Sequence, residues 1–243
     1  MTINSFEDER CLAIADNLKR IRAALADAAA AAGRSEDSVE LMAVTKTVPV
    51  EYINYSIDRC GVDLIGENKV QEMLQKQPLL HLDGVRKHLI GHLQTNKVRK
   101  ILPAVDMIQS VDSLHLAQKI SDEAAALGVN ADILLELNVD AEQTKTGFSE
   151  EAFASSLAAF SELPNVTVKG LMTVPPLDLT DSELERYFDG IHSRYESLKA
   201  QRLPGFDLQI LSMGMSGDFA LAIKHGSTQV RIGSAIYGAR QYH

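Results

Sequence analysis

The sequence predicts an α/β fold, a single closed (β/α)8 barrel of the TIM type preceded by one extra N-terminal helix. Three observations predict it. Eight short apolar runs follow one another, at residues 41–46, 64–68, 88–93, 107–111, 133–139, 168–174, 209–213 and 230–237. Helical stretches separate them, and strand-like runs alternating with helices imply right-handed βαβ units and a parallel sheet. An open doubly wound sheet is the structural alternative, but no GxGxxG follows the first run and no GxxxxGKS/T occurs in the chain.

The first element reads as a long helix, because Cys11, Ile14, Leu18, Ile21 and Leu25 recur at steps of three and four. Gly33 stands where a helix C-terminus belongs. The run ending at Lys46 is followed by Pro49, which starts the next helix. Phe153, Leu157 and Phe160 mark a helix after Ser149. Thr180 and Glu183 spell a capping box, and the helix they open continues through Leu184, Phe188, Ile191, Tyr195 and Leu198. No linker, low-complexity tract or further internal repeat interrupts the alternation, so residues 1–243 are expected to form one domain.

With 24 Lys+Arg against 33 Asp+Glu, the formal charge is -9. That balance argues against a nucleic-acid or anionic-membrane binder, whose affinity rests on surplus Lys and Arg. Cys11 and Cys60 form no CxxC pair, so neither a disulfide framework nor a zinc ribbon is expected, and two lone thiols fit a reducing cytoplasm. Glu7, Asp8, Glu9 and Arg10 occupy the place of a signal peptide's basic start. The apolar stretch 28–32 is too short for an h-region or a membrane span.

In a barrel the chemistry gathers at the C-terminal ends of the strands. Those ends read Thr45-Lys46, Glu67-Asn68, His92-Leu93-Gln94, Asp112-Ser113, Asn138, Thr173, Met213-Gly214-Met215-Ser216 and Arg231-Ile232-Gly233-Ser234, the last lying inside the eighth run. The opposite ends, Glu40, Lys87, Lys169 and Gln209, read as ordinary solvent-facing strand starts.

Lys46 has two readings: a lysine snorkelling to the rim, or an amine that forms a Schiff base with an aldehyde. The stretch from Ser212 to Asp218 offers backbone N–H groups and the Ser216 hydroxyl to an anion, or else is a tight turn that uses Gly for backbone reasons. Gly226 to Ser234 offers a second such surface, and barrels often bind phosphate on the loops after strands seven and eight. His88 and His92 would stand about 13 Å apart on a strand, too far to share a metal ion, and no HExxH or carboxylate cluster accompanies them. No metal ligand is expected.

Seven motifs then define a resemblance. They are Ala43-Val44-Thr45-Lys46-Thr47-Val48-Pro49, Gly66-Glu67-Asn68-Lys69-Val70-Gln71-Glu72, the run from His88 to Lys97, Lys145-Thr146-Gly147, Gly170-Leu171-Met172-Thr173, the run from Leu211 to Asp218, and that from Gly226 to Gly238. In this order, over nearly the whole chain, they resemble the pyridoxal-phosphate homeostasis protein family. Thr45 stands where that family commonly has Ser, and Val48 where it often has a polar residue. The resemblance implies a barrel similar to the N-terminal domain of fold-type III enzymes such as alanine racemase. It implies pyridoxal 5′-phosphate (PLP) held as a Schiff base on Lys46. Ser216 and the N–H groups of Gly233 and Ser234 would hold the phosphate, Arg231 would face the pyridine nitrogen, and Asn68 would line the pocket. His92, Met213 and Gly214 are weaker candidates for the same wall.

The expected function is binding of PLP for buffering or delivery in vitamin B6 homeostasis, with PLP-dependent apo-enzymes as conceivable recipients and no catalytic residue assigned. An arginine at the pyridine nitrogen cannot accept its proton, which weakens carbanion chemistry. Only five residues follow Gly238, so no C-terminal β-domain with an opposing tyrosine is expected, and a monomer is favoured. An amino-acid racemase is the alternative and would need its second base from Tyr52, Tyr55 or a partner chain. A Schiff-base aldolase is a third reading; its lysine typically comes from a later strand, and Lys169 sits at the wrong end.

Overall fold

The computed structural model describes residues 8–138 and 147–238. The motif residues Lys145 and Thr146, and the last residue of the fifth apolar run, Val139, lie outside them. Helix α1 (Glu9–Ala31) comes first. Asp8 caps it by accepting from the Cys11 N–H at 2.8 Å, and Gly33 ends it in the left-handed region at φ +69°. Its predicted apolar residues are all buried.

Eight parallel strands then close on themselves in sequence order. They are β1 (Glu40–Val44), β2 (Leu64–Glu67), β3 (Arg86–Leu89), β4 (Met107–Val111), β5 (Ala131–Leu137), β6 (Val166–Thr173), β7 (Phe206–Ser212) and β8 (Gln229–Ile232). Between them run α2 (Val50–Cys60), α3 (Val70–Lys76), α4 (Val98–Ile101), α5 (Leu114–Leu127), α6 (Glu150–Ser161), α7 (Asp181–Gln201) and α8 (Phe219–Lys224), and α9 (Ser234–Tyr237) follows β8. The barrel closes through β1 and β8, with Met42 opposite Arg231 and Ala43 opposite Ile232. The Thr180–Glu183 capping box opens α7 as predicted.

Alternation along the strands makes two layers. Ala43, Ile65, Val230 and Ile232 point outward and are buried under α1 with Ile14, Leu18 and Ile21. The larger outer cluster, on the other side, packs strands β3–β7 against α5, α6 and α7. Among the described residues no helix is long and apolar enough to cross a membrane.

Every strand but β4 differs from its predicted run at one or both ends, and the largest differences are in β3 and β8. Strand β3 starts at Arg86 rather than His88 and ends at Leu89, which leaves His92, Leu93 and Gln94 in the loop beyond it. Its polar start is paired across the sheet: Arg86 meets Glu40 at 2.5 Å, and Lys87 meets Asp106 at 3.0 Å. A search for apolar residues does not register such a start. The eighth run splits into β8 and α9, because the N–H groups of Ile236 and Tyr237 both donate to the Gly233 carbonyl at 2.9 Å. Their apolar side chains belong to a helical turn buried under α1.

Candidate functional site at the strand ends

The barrel interior fixes which rim residues share a face. Met42 lies inside the barrel, since a Cβ on Gly66 of β2 would meet its Sδ at 2.4 Å and Ile90 Cδ1 at 3.1 Å. Val44 pairs with Gly66, and a Cβ on Gly233 would meet the Val44 carbonyl at 3.2 Å. Lys46 and Asn68 stand two residues beyond Val44 and Gly66, in the loops just past β1 and β2, one layer higher. Both are half-buried. Asn68 Oδ1 is buried and has no hydrogen-bond partner among the described residues. A buried amide oxygen is normally paired, so this one marks a place for a polar group to dock.

The loops after β7 and β8 meet beside that layer. The Asp218 carboxylate accepts from the Met215 N–H, while the Met215 carbonyl accepts from the N–H groups of Asp218 (3.2 Å) and Phe219 (3.0 Å). This closed turn projects Ser216 and Gly217 outward. Burial pushes the Asp218 carboxyl up, against the Met215 N–H and the Arg231 charge, which pull it down. Across the gap, Ser234 Oγ lies 3.5 Å from Ser216 Oγ, although 18 positions separate them in the chain. The N–H groups of Ser216, Gly217, Gly233 and Ser234 donate to no other described residue. Two hydroxyls and four unspent N–H groups make a neutral cradle of donors suited to an oxyanion.

Arg231 sits below this cradle, 5% exposed. Its Nη1 donates to the Ser212 carbonyl (2.7 Å) and Oγ (2.8 Å), and its Nη2 to the Thr173 carbonyl (2.7 Å). Burial lowers its pKa to about 10, against the opposing charges of Asp218 and Glu136, so it stays cationic at neutral pH. Beneath it runs a polar chain that sequence reasoning missed. Ser212 Oγ donates to Gln109 Oε1 at 2.8 Å. Gln109 Nε2 donates to Gln229 Oε1 (2.5 Å) and to His88 Nδ1 (2.8 Å), and Gln229 Nε2 donates to Glu40 at 2.5 Å. Desolvation drives the His88 pKa down to about 4, so its ring is neutral and Nδ1 can accept. Glu40, read from sequence as a solvent-facing start, is therefore the foot of a chain that climbs through the barrel to Arg231.

Other rim expectations resolve differently. Thr173 turns its hydroxyl away, to the Leu137 carbonyl at 2.9 Å and to the Tyr187 hydroxyl, and contributes only its carbonyl. Glu67 is buried outside the barrel, where it meets Lys76 at 3.0 Å. Met213 is fully buried in the outer cluster with Leu211 and Ala222, so its side chain gives the site no accessible wall. Gly214 serves packing: its φ is +96°, and a Cβ there would lie 2.7 Å from that of Ala222 on α8. His92 is exposed and pairs with Asp112 at 3.2 Å, whereas His88 lies deep in the barrel. The Tyr52 hydroxyl donates to Asp8 at 2.9 Å, and Tyr52 and Tyr55 pack on the outer cluster under α1.

Comparisons with known proteins find relatives of this barrel. The family described as alanine racemase, N-terminal domain, matches residues 13–241. A pyridoxal phosphate homeostasis protein of Aquifex aeolicus (strain VF5) is 39% identical over 227 residues, 93% of this chain and 98% of that protein. The structure of PipY from Synechococcus elongatus PCC7942, with PLP bound, superposes with a TM-score of 0.82 at 34% identity, covering 93% of this chain and all of that one. Alanine racemase from Corynebacterium glutamicum shares the fold alone, with a TM-score of 0.68 at 18% identity over 95% of this chain and 62% of that enzyme.

Proposed function

This chain belongs to the pyridoxal phosphate homeostasis protein family, and from that premise we propose that it binds PLP at the described rim and holds it for buffering or delivery. The residues present fit the group. Asn68 Oδ1 has no partner among the described residues, and the Ser216 and Ser234 loops converge on a donor-lined gap of the kind a phosphate fills. PLP, when bound, supplies an aldehyde that condenses with a primary amine. Lys46, at the end of β1, would provide that amine. Ser216 and the N–H groups of Gly233 and Ser234 hold the phosphate, and Asn68 orients the ring side of the pocket. Arg231, fixed by two carbonyls and the Ser212 hydroxyl, would offer a donor to the pyridine nitrogen.

A cation there gives the ring nitrogen no proton, so the electron withdrawal needed for carbanion chemistry is weak. Tyr52, one of the two tyrosines named for a second base, spends its hydroxyl on Asp8 outside the barrel. Racemases share such an arginine, so it weighs only against strong carbanion chemistry in general, and the engaged Tyr52 hydroxyl is what favours a binding role over a racemase. Cys11 and Cys60 take part in no disulfide, which fits a reducing, cytoplasmic setting. We take residues 1–243 to act as one barrel domain and as a monomer.

The meeting of Ser216 and Ser234 is the observation that carries the reading, since it turns two Gly/Ser loops into one anion cradle. The test is to incubate the protein with PLP, reduce with borohydride and map the adduct by mass. Lys46 should carry it, and a principal adduct on Lys97 or Lys224 would overturn the assignment. Enzymes typically turn over at about 1–10³ s⁻¹. Racemisation or transamination in that range, abolished by Lys46→Ala, would reverse the functional reading.

A further inference from the structure

Lys46 is one of two central residues in a tight turn, because the Val48 N–H donates to the Thr45 carbonyl at 3.0 Å. The other is Thr47, at φ +62°. A β-branched side chain disfavours that conformation, so the surroundings must hold it there. Behind the turn stands a group of charges that the phosphate cradle and Arg231 do not touch. Lys76 Nζ on α3 donates to the Thr45 carbonyl at 2.7 Å, to Glu67 at 3.0 Å and to Glu72 at 2.6 Å. The same Glu72 oxygen accepts from the Thr47 N–H at 2.6 Å. Glu67 in turn accepts from the Thr45 hydroxyl at 3.1 Å. Lys76 is 12% exposed and Glu67 1%, so the bond between them is shielded from solvent, whereas the Glu72 carboxylate, 20% exposed, meets the Thr47 N–H at the surface.

We propose that Lys76 and Glu72 form a clamp that positions Lys46. One ammonium and one carboxylate, bonded to each other, grip the backbone on both sides of it, at the Thr45 carbonyl and the Thr47 N–H. The clamp fixes the direction in which the Lys46 side chain leaves the strand and holds Thr47 in its costly conformation. Neither residue touches the cofactor; both act through the backbone of the amine donor. Covalent capture, in which Lys46 Nζ attacks the aldehyde carbon and both amine hydrogens leave with the aldehyde oxygen as water, depends on that direction. Binding of the phosphate does not. The inference rests on the PLP reading above.

The experiment is a cycle over two backgrounds, with PLP as the probe. Lys76→Met and Glu72→Gln are each made in the wild-type chain and in Lys46→Ala, where any PLP is held without a covalent bond. In the wild-type background Lys76→Met should slow formation of the borohydride-reducible species, and weaken PLP binding, by about tenfold, the scale of one charge-assisted hydrogen bond. The near-isosteric Glu72→Gln keeps an acceptor for Thr47, preserves the fold, and should slow capture by roughly threefold. In Lys46→Ala both substitutions should leave PLP affinity within about twofold. Equal weakening in the two backgrounds, or capture as fast as in the unmodified chain, would overturn the clamp. A wild-type chain that forms no reducible adduct would instead overturn the reading on which the clamp rests.

Discussion

Replacing Gln109 by leucine tests the polar chain that supports Arg231. The two side chains are close in size, so the change removes hydrogen bonds and leaves no large cavity. Gln109 is fully buried and joins three groups: it accepts from Ser212 Oγ and donates to Gln229 Oε1 and His88 Nδ1. Leucine leaves all three buried atoms without that partner. An unsatisfied buried polar group costs about 1–3 kcal/mol, so after partial rearrangement the expected loss is roughly 3–6 kcal/mol. Domain stabilities are typically about 5–15 kcal/mol, so the variant should fold with a much lower urea midpoint. The assay is equilibrium urea unfolding, with Ser212→Ala and the double variant completing a cycle. Once Ser212 has lost its hydroxyl, the Gln109→Leu change strands one group fewer, so the double variant should cost less than the two singles together. A loss below about 1 kcal/mol, or strict additivity, would refute the claim that Gln109 is the hub of the chain.

Ser216→Ala removes one hydrogen bond to a charged group, worth about 1.5–3 kcal/mol, so PLP affinity should fall roughly ten- to a hundredfold by titration. Equal affinity of the wild type for pyridoxal and PLP would refute the phosphate cradle. Protonation of His88 gives a pH dependence of stability. Its pKa is 6.5 when solvated and about 4 in the barrel, so the unfolded chain binds the extra proton between those values. That contribution is fully present above pH ~6.5 and is lost as pH falls to ~4, by up to about 3 kcal/mol. Glu67 and Asp218, both pushed upward by burial, titrate in the wild type and in His88→Gln alike. The stability difference between the two proteins should therefore shift in favour of His88→Gln by about 3 kcal/mol from pH 7 to pH 4. Parallel stability curves would refute the assignment.

The barrel was legible because each of its signals is local. Apolar alternation has a period of two in a strand and 3.6 in a helix, and both can be read within a dozen residues, as in α1 or the Thr180–Glu183 box. Lys46 at the end of an apolar run and the two Gly/Ser loops were visible for the same reason. Boundaries were less legible where polar residues do strand work, as at Arg86 and Lys87, or where a helical turn is as apolar as a strand, as at Ile236 and Tyr237.

What the sequence by itself determined is the order of the elements, the rim on which chemistry gathers and the identity of the groups available there. The tertiary structure alone decided which of those groups meet. Ser216 reaches Ser234, Gln109 joins His88 to Gln229, which lies 120 residues beyond Gln109 in the chain, and Lys76 crosses from α3 to the backbone beside Lys46. Each of these contacts depends on the register between strands and on how far the closed sheet is sheared. Register is a property of pairs of distant segments, so no window along one segment contains it. The same holds for Glu67, Thr173 and Met213, which lie at strand ends yet turn away from the site once the barrel closes.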